Sequence, residues 1–198
     1  MKKLILLILI AMNFSCSRTN EISAQDDPLL QIAQDRRSIR SYTDRPISRE
    51  TMDSILTIAA LAPSSYGQNP VEFVVVEDKE TLRKLADCKA IGAPSVRNAT
   101  AAVVVMADTT KGELWVEDTS VAAAYLMLAA QEHGVGACWN QIHLRDGQRN
   151  SASREICELL GIPSRYEVEC VMAMGYPAEN KPPRSAEDMK KGRIHYAK

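Results

Sequence analysis

Residues 101–107 read AAVVVMA, seven apolar side chains in a row. A strand shows alternate residues to opposite faces, so a run that is apolar at every position needs cover on both sides. It predicts a central strand with other elements packed above and below it. VEFVVVE at 71–77 is β-branched and aromatic and predicts a second strand. VECVMAMGYP at 168–177 predicts a third, which breaks at Gly175 and Pro177. ACWNQI at 137–142 reads either as a short strand or as a loop.

Helical patterns lie between these runs. Leu29, Leu30 and Ala33 share one face of a short helix over 28–36. Ser48 suits an N-cap, and Met52, Ile55, Leu56, Ala59 and Ala60 then recur at helical spacing until Pro63. Residues 79–88 form a short charged helix, and 153–160 another that Gly161 and Pro163 end. The strongest helix is 118–133, nearly apolar all round, with Gly134 placed for the left-handed residue after it. Such a helix is buried in a core or in a subunit interface. Loosely alternating elements with helices dominating predict an α+β fold, a small mixed β-sheet wrapped by helices. With 198 residues, 45% of them hydrophobic, the chain can fill one core, so 28–198 reads as a single domain.

The N-terminus departs from this composition. MKKLILLILIAM puts two lysines before an apolar run too short for a comfortable membrane span, and Cys16 follows in NFSCS. Residues 1–15 therefore read as a signal peptide of the lipoprotein type, with Cys16 the lipidated first residue and 16–27 a polar tether. Asn13 stands where such signals usually carry Leu. Ordinary cleaved secretion and an uncleaved anchor are the other two readings. The expected location is exported and membrane-anchored, or cytoplasmic if the segment is not a signal. Loss of Lys2 and Lys3 moves the formal net charge from −1 to −3. No global charge excess points to nucleic acid. Cys88, Cys138, Cys157 and Cys170 have no C-x-x-C spacing, and His133, His143 and His195 are scattered, so no metal site is expected.

Four stretches carry chemistry. RRSIR at 36–40 offers Arg36, Arg37, Ser38 and Arg40, whose forked donors and hydroxyl suit phosphate oxygens. It also fits a basic helix end that faces its own carbonyls and water. APSSYGQNP at 62–70 exposes hydroxyls and amides between a helix and a strand, or is an ordinary connection. GVGACWN at 134–140 lets backbone come close to a planar ligand, without a dinucleotide fingerprint. GYPAENKPPR at 175–184 leaves a strand and ends in a second basic group.

In this order the four stretches resemble the nitroreductase family of FMN-dependent oxidoreductases, from about residue 28 to the C-terminus. R-R-S-x-R is matched by residues 36–40, A-P-S-x-x-x-x-Q-P is approximated by 62–70, G-L-G-x-C-W is matched by 134–139, and G-Y-P-x-E by 175–179 with Arg184 beyond. The resemblance implies a nitroreductase-like fold, a homodimer and FMN held between both chains. It implies that Arg36, Arg37, Ser38 and Arg40 hold the phosphate, ribityl chain and pyrimidine edge, with Arg184, and secondarily Lys181, returning to the phosphate. Ser64 and Ser65 would lie beside the flavin, and backbone near Trp139, Asn140 and Gln141 would approach its reactive edge. Asn69 stands where the family usually has Gln, so Gln68 is a second candidate for that role. Val71 replaces a frequent Trp. No side chain is expected to be catalytic, because the flavin carries the chemistry.

The implied activity is ping-pong reduction of nitroaromatics or quinones by a reduced nicotinamide. Nicotinamide is scarce outside the cytoplasm, so an exported form needs another donor. Two alternatives stand beside this one: a related reductive dehalogenase of halophenols, which would call for an inserted lid, and a flavin-binding lipoprotein without turnover.

Overall fold

In the computed structural model, residues 27–197 are described. The segment read as a signal, Cys16 and almost all of the expected tether lie outside them. Four strands form one sheet in the order β1-β2-β4-β3: β1 Val71–Val76, β2 Ala101–Asp108, β3 Gly136–Gln141 and β4 Tyr166–Gly175. Every neighbouring pair is antiparallel. The parallel element of the expected mixed sheet is a single bridge, Ser38 beside Ala137 on the outer edge of β3. The undecided run 137–142 is thus a strand, and it forms one edge of the sheet.

The prediction from AAVVVMA holds: all eight residues of β2 are buried. Val103 and Val105 point to one face, together with Met172 and Met174 of β4. There they meet Met52, Ile55 and Ala59 of α2 (Arg49–Ala60) and Leu126 and Ala130 of α5 (Trp115–Glu132). Ala102 and Val104 point the other way, toward Leu82 and Leu85 of α3 (Lys79–Asp87), Val96 of α4 (Pro94–Arg97) and Ile156 of α6 (Ala152–Leu160). The result is a sheet between two helical layers.

Helix limits follow local chemistry. The Asp27 carboxyl accepts the Leu29 and Leu30 N–H groups and starts α1 (Pro28–Asp35). Ser48 caps α2 through the Thr51 N–H, and Ser151 caps α6 through the Arg154 N–H. Gly161 ends α6 at φ 67°, a conformation that glycine adopts without strain. α5 begins three residues before the predicted start, because Trp115, Val116 and Glu117 continue its first turn. Two short helices were not legible in the sequence: α4, and α7 (Ala186–Lys190) within the polar tail. Cys88, Cys138, Cys157 and Cys170 are buried free thiols.

β4 carries the one register shift. Cys170 lies opposite Val105 and Val168 opposite Met106, leaving Glu169 as the extra residue. Among the described residues, no helix is long and apolar enough to cross a membrane.

Candidate active site

Only Arg36 of the first basic stretch stands at the end of α1, and no basic residue lies in that helix's last turn. The helix-end reading of RRSIR therefore fails. The chain instead runs along the outer edge of β3, where the Ile39 N–H donates to the Ala137 carbonyl at 3.2 Å. Ile39 is buried and fills the space above Gly136, while Arg40 beside it is exposed.

The C-terminal stretch comes back against this segment. The Thr43 N–H donates to Tyr176 O at 2.8 Å, the Ala178 N–H to Ser41 O at 2.9 Å and the Arg184 N–H to Gln34 O at 2.9 Å. Arg37 donates to the Pro182 carbonyl. The Glu179 carboxylate binds the two segments together. It accepts the Arg40 N–H at 2.5 Å and the Ser41 N–H at 3.2 Å, and pairs with Lys181 at 3.2 Å. These bonds, the Arg40 N–H foremost, hold its pKa below the usual glutamate value. The Lys181 ammonium also donates to Ser38 O at 2.6 Å, so it braces the segment. Glu179 was visible in the sequence only as one letter of a motif. Its bracing role needs the fold.

Arg36, Arg37 and Arg184 gather here from positions about 150 residues apart. Burial lowers the Arg36 pKa first, and the charges of Arg184 and Arg37 lower it further. Among the described residues, Arg36, Arg37, Arg40 and Arg184 make no ion pair with a carboxylate. Mutually repelling guanidinium groups with no counter-charge form a donor set for an external anion such as a phosphate monoester.

The ring-facing candidates of β3 divide by face. The Trp139 indole N–H donates to Gln141 Oε1 at 2.8 Å, and Gln141 Nε2 donates to Glu169 Oε1 at 2.9 Å. The Asn140 side chain turns to the opposite helical layer, accepting the Ser95 hydroxyl at 2.8 Å and donating to Val171 O at 3.2 Å. Asn140 can therefore offer a ligand only its backbone. Past the Ser38 bridge, β3 has no strand on its outer side among the described residues.

The loop 62–70 sits elsewhere. It leads into β1, the opposite edge of the sheet and the opposite end from Ser38. Three strand spacings alone amount to about 14 Å. Tyr66 and Asn69 take φ of 52° and 47° in this loop, a region costly for residues other than glycine. The Asn69 side chain folds back on the loop, donating to Gly67 O at 3.0 Å and accepting the Ser64 hydroxyl at 3.2 Å. Ser65 donates its N–H and its hydroxyl to Asp118 of α5, at 2.7 and 2.9 Å. Gln68 lies against Gly112, beside a cavity of about 320 Å³ lined by Ser65, Tyr66 and the turn 109–114. One chain thus joins the arginine cluster with the edge of β3, and leaves the serine loop apart from both.

The sequence profile described as "Nitroreductase family" matches residues 33–116 and 89–176, most of the domain. The chain belongs to this family. An Archaeoglobus fulgidus protein assigned as an NADH dehydrogenase/NAD(P)H nitroreductase is 40% identical over 174 residues, covering 85% of this chain and 97% of that one. The structure of an FMN-dependent nitroreductase from Clostridium difficile R20291 superposes with a TM-score of 0.80 at 40% identity, over 84% of this chain and 98% of that chain. A nitroreductase-type protein of Desulfovibrio desulfuricans, solved in complex with FMN, gives a TM-score of 0.67 at 27% identity, over 86% and 99% of the two chains. As a nitroreductase-family member the chain is an FMN-dependent oxidoreductase. The uncompensated arginine cluster fits the phosphate of that cofactor.

Proposed function

We propose that two copies of this chain form a reductase of electron-poor aromatic or quinone acceptors, with each flavin site shared between them. One copy supplies Arg36, Arg37, Ser38, Arg40 and Arg184 for the phosphate, ribityl chain and pyrimidine edge, and the edge of β3 from Trp139 to Gln141. The other supplies Ser64, Ser65, Gln68 and Asn69. The observation that carries this reading is the arginine cluster: the guanidinium groups of Arg36, Arg37 and Arg184, drawn from both ends of the domain, without a carboxylate partner among the described residues.

When bound, FMN supplies the electron transfer between donor and acceptor. The residues of this chain bind and polarise. Forked Arg donors match phosphate oxygens, and a cation at the pyrimidine edge favours the negative charge that reduction brings. Glu179 keeps that edge in place by holding the Arg40 and Ser41 amides. The turn between β2 and α5 is only residues 109–114, so nothing there favours the lidded halophenol enzyme.

Sharing the site requires a second copy, and the exposed apolar residues offer a face for it. Val121 and Tyr125 of α5 are each 38% exposed, and Leu61 at the end of the adjoining α2 is 73% exposed. A buried two-fold interface over these residues would bring the serine loop of one copy toward the basic edge of the other. We further propose export with lipidation at Cys16. In that setting a donor other than a soluble nicotinamide serves the flavin, whereas a cytoplasmic form would use NAD(P)H.

Purified protein is expected to be yellow, dimeric by light scattering and loaded with about one FMN per chain, as family membership implies. Anaerobic titration with NADH and NADPH then tests the donor. Colourless protein that takes up no added FMN would overturn the reading.

A further inference from the structure

Asp118 is 4% exposed, yet it belongs to neither the basic cluster nor the apolar core. Its Oδ1 accepts both the Ser65 N–H and the Ser65 hydroxyl. Its Oδ2 is buried with no hydrogen-bond partner among the described residues. Asp118 also lines a cavity of about 50 Å³ together with Ser64, Asn69, Pro63 and Ala122. Burying a carboxyl group with one oxygen unpartnered opposes folding. The group is retained there by what Oδ1 holds, which is the loop.

The loop needs such a hold. It places two non-glycine residues at positive φ, and conformations of that kind persist only where the surroundings fix them. Ser65 is the first residue of its single 3-10 turn, Ser65–Gly67, and a bond at that point sets the direction of Tyr66, Gln68 and Asn69. Asp118 lies in the first turns of α5, one turn before Val121 and two before Tyr125. The same helix therefore carries the exposed apolar face and the anchor of the loop.

We propose that Asp118 is a positioning residue for the flavin reaction, fixing Ser65 and with it the loop 62–70 to the helix that meets the second copy. This rests on the shared-site reading above. Association of two copies would then place the loop by way of α5, rather than leave it to find the flavin independently. The Ser65 hydroxyl is committed to Asp118, and the Ser64 and Asn69 side chains bond each other, so Gln68 is the polar side chain of the loop left to face the cofactor.

The test uses Asp118→Ala, Asp118→Asn, Ser65→Ala and the double variant Asp118→Ala/Ser65→Ala in the full-length dimer. Three readouts are taken: hydrogen exchange of the Ser65–Gln68 amides in flavin-free protein, the absorbance spectrum of bound FMN, and kcat and KM with a quinone acceptor. Asp118→Ala is expected to speed exchange in the loop, shift the bound-flavin spectrum and lower kcat/KM by about 10- to 100-fold, the scale of a small misplacement. Ser65→Ala should change the same readouts less, since its N–H bond survives. The double variant should be no worse than Asp118→Ala, because the two groups act through one contact. Asp118→Asn keeps an acceptor for Ser65 and should restore most of the loss. Additive effects, an unchanged flavin spectrum in Asp118→Ala, or Asp118→Asn as impaired as Asp118→Ala would overturn the proposal. If Asp118→Ala does not fold, Ser65→Ala and Asp118→Asn decide it: loop exchange and flavin spectrum unaltered by Ser65→Ala would be the overturning result. Failure of the wild type to bind FMN would instead overturn the shared-site reading.

Discussion

Replacing Arg184 by alanine removes a guanidinium group and little else. The Arg184 backbone N–H still donates to Gln34 O at 2.9 Å, and Glu179 and Lys181 still brace the segment, so the strand-like return remains docked. In the flavin-free protein the change also relieves repulsion, because Arg184 is the largest charged contribution that lowers the Arg36 pKa. The thermal midpoint of the apoprotein should therefore hold steady or rise. FMN affinity should move the other way. A hydrogen bond to a charged group contributes roughly 1.5–3 kcal/mol, which corresponds to a loss of about 10- to 150-fold in Kd. Arg40→Ala should lose a similar amount, and Arg184→Lys less, since it keeps the charge and loses the fork. Arg154→Ala is the control: Arg154 pairs with Glu158 at 3.3 Å on α6, exposed and far in sequence from the cluster. The assay is quenching of FMN fluorescence on titration with apoprotein, at low and at moderate salt. Salt should weaken the wild type more than the alanine variants. Equal Kd values for Arg184→Ala, Arg40→Ala and Arg154→Ala would refute the assignment of this cluster to the phosphate.

Gly136→Ala places a Cβ 2.8 Å from the Ile39 side chain and should push the 36–40 segment off β3. The expected cost is about 1–3 kcal/mol of stability, with weaker FMN binding, measured by denaturant melts and the same titration. Backbone donors, the Arg149 N–H first and the Asn150 N–H next, hold the Glu155 pKa below its ordinary value of 4.5. Its contribution is complete above that value and is lost as pH falls through the lower folded pKa. Glu155→Gln should therefore flatten the acid limb of a plot of thermal midpoint against pH. Burial pushes the thiols of Cys88 and Cys157 up to about 11, so both should resist iodoacetamide at pH 8 until the protein is unfolded, as peptide mass spectrometry would show. Cys16→Ser should release the protein from membranes and leave flavin binding intact. Unchanged fractionation would remove Cys16 as a lipid site.

The sequence was most legible where one residue's chemistry decides an element. AAVVVMA fixed a doubly covered strand, and Ser48, Gly134 and Gly161 marked helix ends, because caps and two-faced burial are local facts. The arginines of RRSIR and Arg184 were legible as a donor set, since a fork of N–H groups suits phosphate wherever it lies. What could not be read is how the groups meet. Glu179 gains its role from amides about 140 residues away. Asp118 looked like part of an apolar helix until its partner in a distant loop was known. Asn140 lay inside a recognisable motif, but the alternation of β3 turns its side chain away from Trp139 and Gln141. Long-range pairing and strand facing are properties of the fold, and no short window of residues carries them.

The serine loop and the arginine cluster lie at opposite edges of one sheet, and this has a consequence for defective copies. With each flavin site shared between two copies as proposed, a chain damaged at Arg184 spoils only the phosphate half of the site it supplies, and a chain damaged in the loop spoils only the other half. When two such chains pair, both lesions fall in the same site and the second site is assembled from undamaged halves. Coexpression of two inactive alleles should then restore reductase activity that neither shows alone, whereas two alleles damaged at the same edge should never complement. Dominance follows the same logic: a chain carrying both lesions would disable each site it enters, and would impair a wild-type partner within the same dimer.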